Sequence, residues 1–174
     1  PQDLAQAAQW YRQAAEAGSP LGMEDWAYCL DNARGVPADH AGALAWRKKA
    51  TALDVPAAWN NLGMMYEAGR AVTQDLEEAV RCYRRAANLN DPVAMANLAA
   101  ALEAGRGVDQ NLAEAVTWYT QAAAAGSGRA AFNLGRLYAE GRGVGQDAAK
   151  AAQHWARGVE LKNTPSMCNL AWAY

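Results

Sequence analysis

The sequence has little phenylalanine, little cysteine and almost no net charge. Phe132 is the single phenylalanine among 174 residues, and sixteen basic against eighteen acidic residues give a formal net charge of −2. A balance this close to zero provides no general electrostatic field for a polyanion. Nucleic acid is therefore not expected as a partner.

The sequence also lacks long apolar runs. None approaches the roughly 20 residues that a helix needs to cross a bilayer, so no direct membrane insertion is expected. The first eight residues lack a basic stretch followed by a hydrophobic core, which a signal peptide would have. These absences predict a soluble protein and leave its compartment open.

The cysteines show no pattern of disulfide bonding. Cys29, Cys82 and Cys168 are odd in number and stand at unrelated positions along the chain. Free thiols are predicted, which favours a reducing compartment without excluding a periplasm.

The sequence instead has an internal repeat of 36 residues without insertions, marked by Val36, Val72, Val108 and Val144. A repeat of this length predicts a stacked array, because one unit cannot bury its apolar face alone. We expect a single domain over 1–174. It would contain a helix B at 1–18, full units at about 19–54, 55–90, 91–126 and 127–162, and a partial unit at 163–174.

Each unit is predicted to be a pair of helices, A and B. In residues 57–90, Ala58, Leu62 and Tyr66 fall four apart, on one face of helix A. Gly69 ends that helix, and Asp75 stands where it can cap the start of helix B. The apolar face of helix B is formed by Ala79, Cys82, Tyr83, Ala86 and Ala87. Capping pairs are predicted at Asp3, Asp75 and Asn111, and Pro20, Pro56 and Pro92 mark the first turn of a helix A.

These motifs resemble the SEL-1-like repeat family, a relative of the tetratricopeptide repeat. Ala-x-x-x-Leu-Gly-x-x-Tyr occurs at 58–66 and 130–138, and Gly-Arg-Gly-Val turns occur at 105–108 and 141–144. Asp/Asn-x-x-x-Ala-x-x-Trp-Tyr followed by paired alanines occurs at 3–15 and 111–123. The resemblance implies an all-α fold, an α/α superhelical solenoid of 36-residue helix-turn-helix repeats. It also implies a scaffold role in a bacterial regulatory or envelope-assembly setting, in the cytoplasm or the periplasm.

Nothing in the sequence predicts an enzyme, a cofactor or a metal site. His40 and His154 have no second ligand or base at a suitable spacing, and Cys82 is expected to be a small buried residue. The glycines at 141, 143 and 145 join two helices and are interpreted as turn residues, not as a phosphate-binding loop.

The resemblance places helix A on a concave groove, with the positions that point away from the Leu/Tyr core facing a ligand. These positions are Glu24, Asp25, Tyr28, Asp31, Asn60, Asn61, Met64, Glu67, Asn97, Glu103, Arg129, Phe132, Asn133, Arg136, Asn169 and Trp172. We expect Phe132, between Arg129 and Arg136, to anchor a partner. The asparagines at 61, 97, 133 and 169 either bond an extended peptide or support neighbouring helices.

An arginine recurs in the turn between helices A and B. The four are Arg34, Arg70, Arg106 and Arg142. They either stabilise the preceding helix C-terminus or form a docking edge for an anionic partner.

The sequence favours a non-catalytic interaction scaffold or adaptor that binds a protein or peptide segment in the groove. One alternative is a cell-wall or small-ligand binding protein, or a hydrolase, of the cysteine-rich repeat type, although the cysteines do not reproduce that type's pattern. Another is a structural or oligomerisation segment of a longer chain. Trp172 and Tyr174 lack a covering helix B, which predicts self-association through uncapped ends.

Overall fold

The computed structural model describes residues 3–172, with the side chain of Trp172 outside that description. Within this range the chain forms ten α-helices and no strands, which confirms the all-α prediction. The helices are α1 (Leu4–Glu16), α2 (Pro20–Asp31), α3 (His40–Thr51), α4 (Pro56–Ala68), α5 (Leu76–Asn88), α6 (Pro92–Ala104), α7 (Leu112–Ala124), α8 (Gly128–Glu140), α9 (Ala148–Glu160) and α10 (Thr164–Trp172). Even-numbered helices are helix A of their repeat, and odd-numbered helices are helix B.

The helices begin where the sequence predicts. The side chains of Asp3, Asp75 and Asn111 each accept a hydrogen bond from the backbone N–H three residues later, at 2.9–3.0 Å. Pro20 and Pro56 occupy the first position of their helices, where the N–H that proline lacks has no partner within the helix.

The turns after helix A depend on left-handed backbone. Gly69, Gly105 and Gly141 end their helices with φ of 65°, 66° and 67°. In the first full repeat the same position is Ala33, with φ of 53°. Ala71 has φ of 58° at the second turn position, which is a glycine in the other repeats. The two alanines therefore adopt a conformation that strains a side chain.

The described helices form two compact units, α1 to α5 and α6 to α10, divided between Leu89 and Asn90. In the first unit, each helix from α1 to α5 packs against the next. In the second unit, each helix from α6 to α10 does the same.

The glycine of the Leu-Gly motif lets the two helices of a repeat approach closely. A Cβ on Gly63 would lie 2.7 Å from the ring of Tyr83, and one on Gly135 would lie 2.3 Å from the indole of Trp155. Glycine at these positions leaves room for an aromatic side chain of helix B against helix A. The predicted apolar face of α5 is buried throughout, at Ala79, Cys82, Tyr83, Ala86 and Ala87.

The three cysteines are free, as predicted. Cys29 and Cys82 are buried, whereas Cys168 is exposed. Desolvation raises the pKa of the Cys82 thiol to about 12, and the nearby Glu78 adds to the shift. The thiolate of this residue is thus strongly disfavoured, as expected for a packing residue.

Candidate functional site

A buried or half-buried acid near the end of helix A meets a donor from helix B in three successive repeats. The two residues are 16 apart each time: Arg47 donates to Asp31 at 2.9 Å, Tyr83 to Glu67 at 2.6 Å and Tyr119 to Glu103 at 3.2 Å. The pairs fix the two helices of each repeat against each other. Sequence reasoning missed them because it placed all three acids on the solvent side. The signal was the recurrence of an acid and a donor in the same 36-residue register.

Further polar contacts surround the pair of Asp31 and Arg47 in the first unit. Arg47 Nε donates to Glu24 Oε1 at 3.3 Å, and the Asn61 amide donates to the same oxygen at 2.7 Å. Asp31 Oδ1 lies 2.7 Å from His40 Nδ1, and Asp31 Oδ2 also accepts from Arg70 at 3.4 Å. Side chains of α2, α3 and α4 are therefore joined in one network, which we call the Arg47 network.

The two acids of the Arg47 network have opposite pKa shifts. Desolvation raises the pKa of Glu24 above its ordinary value, against the lowering effects of Arg47 and Asn61. Desolvation also acts to raise the pKa of Asp31, but hydrogen bonds from Arg47 and His40 outweigh it and hold that pKa below its ordinary value. Asp31 thus favours the charged form, and Glu24 favours the neutral form more than an exposed glutamate does.

A cavity of about 190 Å³ lies beside this network, between α2 and α4. Arg47, Asp31 and Asn61 contribute to its polar wall, and Tyr28 and Met64 line it as exposed apolar groups. A second cavity, of about 440 Å³, is lined by Asp25, Tyr28, Arg34, Cys29, Tyr11, Ala7, Leu4 and Asp3. The structure thus brings together three predicted residues, Tyr28, Asn61 and Met64, around one concave feature.

In the second unit, the predicted residues of α8 lie beside those of α6. Arg129 donates to the Asn97 amide oxygen at 2.5 Å, and Arg136 donates to Glu103 at the same distance. Phe132 and Asn133 lie between these arginines in the sequence and are half-buried. The two cations are held in place by the neighbouring helix.

The turn arginines make specific contacts. Arg70 pairs with Asp31 at 3.4 Å and Arg142 pairs with Glu103 at 3.2 Å, each with an acid of the preceding repeat. Arg34 lies over the ring of Tyr28 at 5.8 Å, and Arg106 is exposed. Arg70 and Arg142 therefore join consecutive repeats, an arrangement that neither sequence interpretation included.

Three predicted groove residues are not exposed, and that expectation was wrong for Glu24, Asn60 and Glu103. Glu24 and Glu103 are buried because arginines of other helices pair with them. Asn60 is buried while its amide faces Asn61 at 3.3 Å. Helical periodicity identifies the polar face of a helix but not the neighbours that cover it.

The remaining predicted positions differ in exposure. Asp25, Tyr28, Met64 and Arg129 are exposed, whereas Asn61, Asn97, Asn133, Asn169 and Arg136 are half-buried. Asn61 and Asn97 contact side chains of neighbouring helices, Glu24 and Arg129. These two amides therefore support neighbouring helices. The side chain of Trp172 and all of Tyr174 lie outside the described residues, so the predicted self-association stays a prediction.

The described part of the chain holds no group of three or more His, Cys, Asp or Glu side chains placed to bind a metal ion. None of the helices in residues 3–172 combines the length and apolar character that a membrane span requires.

Comparison with solved structures finds close matches to the whole array. A protective antigen of uropathogenic Escherichia coli with an SLR fold is 34% identical, with a TM-score of 0.89 over 97% of this chain and 36% of that protein. A Sel1 repeat protein from Oxalobacter formigenes is 30% identical, with a TM-score of 0.86 over 96% of this chain and 75% of that protein. The chain spans about a third of the E. coli protein's length.

A third similar structure is cysteine rich protein B of Helicobacter pylori. It is 30% identical, with a TM-score of 0.60 over 74% of this chain and 92% of that protein. No curated protein sequence gives a significant match. The model of the Sel1 repeat matches residues 1–19, 20–55, 56–91, 92–127 and 128–163. The α/α solenoid of 36-residue repeats is thereby confirmed, and the chain belongs to the Sel1 repeat family.

Proposed function

We propose that the chain is a non-catalytic scaffold or adaptor that binds a protein or peptide segment on the outward side of its A helices. Sel1 repeats are typically protein-interaction modules and are generally non-catalytic. The three similar structures come from bacteria, which supports a bacterial setting.

One observation carries this proposal. Tyr28 is 43% exposed and Met64 is 49% exposed, and the two line the same cavity from neighbouring A helices. Large apolar groups around a concave feature are typical of sites where a partner inserts a side chain. The Arg47 network beneath them is fixed by hydrogen bonds, so little ordering would be needed on binding.

The second unit supports the same function with different outward side chains on its A helices. Phe132 and Asn133 lie between Arg129 and Arg136, and both arginines are already oriented by Asn97 and Glu103. This face fits a segment that combines an apolar side chain with an acidic one. Arg34, Arg70, Arg106 and Arg142 add positive charge at the turns, although Arg70 and Arg142 are partly neutralised by their acids.

The proposal is tested by selecting peptides from a random library on the wild-type chain and measuring their affinity calorimetrically. Tyr28→Ala and Met64→Ala should each weaken binding by about ten-fold or more for peptides that use the first unit. The matched control is Leu53→Ala, because Leu53 is 52% exposed but lies in the loop between α3 and α4. A library that yields no binder, or binders insensitive to every outward residue of the A helices, would contradict the proposal.

A further inference from the structure

Arg47 is unusual among the equivalent residues of the array. Its counterparts one and two repeats later are Tyr83 and Tyr119. The Arg47 side chain is only 3% exposed, although a guanidinium is always charged. Burial of such a group requires close partners, and Asp31 and Glu24 supply them at 2.9 and 3.3 Å.

The partners of Arg47 do not use all its donors. Nε donates to Glu24, and Nη1 donates to Asp31 and to the sulfur of Met65 at 3.2 Å. Within residues 3–172, the hydrogen bonds of the Arg47 guanidinium are these, and none of them uses Nη2. Arg47 also lines the 190 Å³ cavity. A buried cation therefore keeps unused N–H donors beside a concave site.

The other polar groups around the cavity offer donors as well. Both oxygens of Asp31 are occupied, Oδ1 by His40 and Oδ2 by Arg47 and Arg70. Arg70 lines the cavity from the turn after α4, and 47% of its side chain is exposed. Within the described residues, the one buried side-chain oxygen without a partner is Glu24 Oε2, and Glu24 does not line the cavity. Among the residues that do line it, the spare hydrogen-bonding capacity is mainly cationic and donating, so an entering group needs acceptor oxygens.

The size of the cavity limits what can enter. Pockets that hold a small-molecule ligand are typically about 300–1,000 Å³. At about 190 Å³ this cavity is smaller, and it suits one side chain of a larger partner. Tyr28 and Met64 would pack on the aliphatic part of such a side chain.

We infer that this cavity is a subsite for a glutamate or aspartate side chain of the bound segment, whose carboxylate accepts hydrogen bonds from Arg47 Nη2 and Arg70. The inference rests on the proposed function, because the acidic side chain belongs to the segment bound there. Charge-assisted hydrogen bonds to two guanidinium groups supply the selectivity for a carboxylate over an amide.

The test uses the blocked amino acid N-acetyl-glutamate methylamide and its glutamine counterpart as probes of the wild-type chain. Titrations are followed by NMR at the Arg47 Nε–H and the methyl groups of Met64 and Met65. The glutamate probe should bind about ten-fold more tightly than the glutamine probe, and its shifts should saturate. Equal binding of the two probes, or shifts that do not involve these three residues, would overturn the inference.

A variant that keeps the fold separates the subsite from general stability. The triple substitution Glu24→Asn, Asp31→Glu and Arg47→Tyr introduces the residues of the next repeat, Asn60, Glu67 and Tyr83, at the same positions. It should retain helical circular dichroism and lose the preference for glutamate. Arg70→Gln should reduce that preference in part, and Arg129→Gln, in the second unit, should leave it unchanged. Retention of the preference in the triple variant would also overturn the inference.

Failure of the carboxylate subsite can be distinguished from failure of the proposed scaffold function. If selected peptides bind but tolerate replacement of every acidic residue by its amide, the subsite is wrong and the scaffold function stands. If no peptide is selected but the glutamate probe binds at Arg47, the scaffold function fails and the carboxylate site remains.

Discussion

At the scale of single residues, the backbone conformations of the turns show where this array departs from its own pattern. In the part of the chain that the structure describes, side chains occupy left-handed backbone at Ala33, Asp54, Ala71, Asn90 and Lys162. Asp54 and Asn90 precede a helix A, and short polar side chains of this kind tolerate such a conformation. Ala33 and Ala71 have no such compensation.

We predict that Ala33→Gly raises the free energy of unfolding by about 0.5–1 kcal/mol. Glycine removes the strain of φ near 53°, and the greater freedom of the unfolded chain offsets only part of that gain. The reverse control is Gly105→Ala at the equivalent position, where an added Cβ meets nothing closer than 3.4 Å. It should destabilise by a similar amount in urea denaturation, and a stabilising Gly105→Ala would refute this account.

Phe132 allows a second prediction, because it is half-buried on the proposed binding face of α8. Phe132→Ala should weaken binding of peptides selected on the second unit by about 2 kcal/mol. The melting temperature should fall less than in Leu134→Ala, since Leu134 is fully buried and its truncation costs about 2–5 kcal/mol. The bond from Trp155 to the Phe132 carbonyl is retained in the variant. If Phe132→Ala leaves peptide affinity intact and strongly lowers the melting temperature, Phe132 acts as a core residue.

At the scale of helices, the Arg47 network links α2, α3 and α4 by charge as well as by packing. Its acids respond to pH in opposite directions. Because the pKa of Asp31 is lowered in the folded state, its contribution is present at neutral pH and is lost as pH falls below the unfolded value of about 3.9. Because the pKa of Glu24 is raised, the folded state takes up a proton more readily than the unfolded chain. The contribution of Glu24 to the free energy of unfolding therefore increases as pH falls from neutral.

The raised pKa of Glu24 leads to a prediction for the variant Glu24→Gln. The stability of the wild type relative to the variant should increase as pH is lowered from 8 towards 5, above the unfolded glutamate pKa of about 4.3. The titratable and charged groups around Glu24 are Arg47 and Asp25, and Asn61 is its neutral partner. Urea denaturation at several pH values measures the difference, with the exposed Glu16→Gln as a control. A difference that shrinks with falling pH would mean that Arg47 lowers the pKa of Glu24 more than burial raises it.

At the scale of the whole molecule, the constant repeat length predicts that one repeat can be removed. Deletion of residues 20–55 joins Ser19 to Pro56, so that a serine cap still precedes a proline at the first position of a helix. The shortened chain should remain helical and melt cooperatively at a lower temperature, because neighbouring repeats bury each other's apolar faces. Circular dichroism decides the matter, and loss of helical signal would show that the repeats do not stack as interchangeable modules.

The sequence predicted the fold far better than the site. The period, the caps and the proline positions determine helices because each acts locally, and all were confirmed where the structure describes them. Exposure of Tyr28 and Met64 also follows from helical periodicity. The burial of Glu24 and Glu103 does not, because it depends on arginines 23 and 33 residues away. Periodicity cannot show that a polar residue has found a partner on another helix.

The bonds from Arg70 to Asp31 and from Arg142 to Glu103 each span 39 residues, one repeat and three residues more. In terms of descent, a gene that gains or loses a whole repeat by recombination changes which residue lies beside the turn arginine of the next repeat. The compatibility of a duplicated segment then depends on its upstream neighbour as much as on its own sequence. A substitution at residue 31 or 103 therefore also removes a partner of the arginine that lies one repeat downstream.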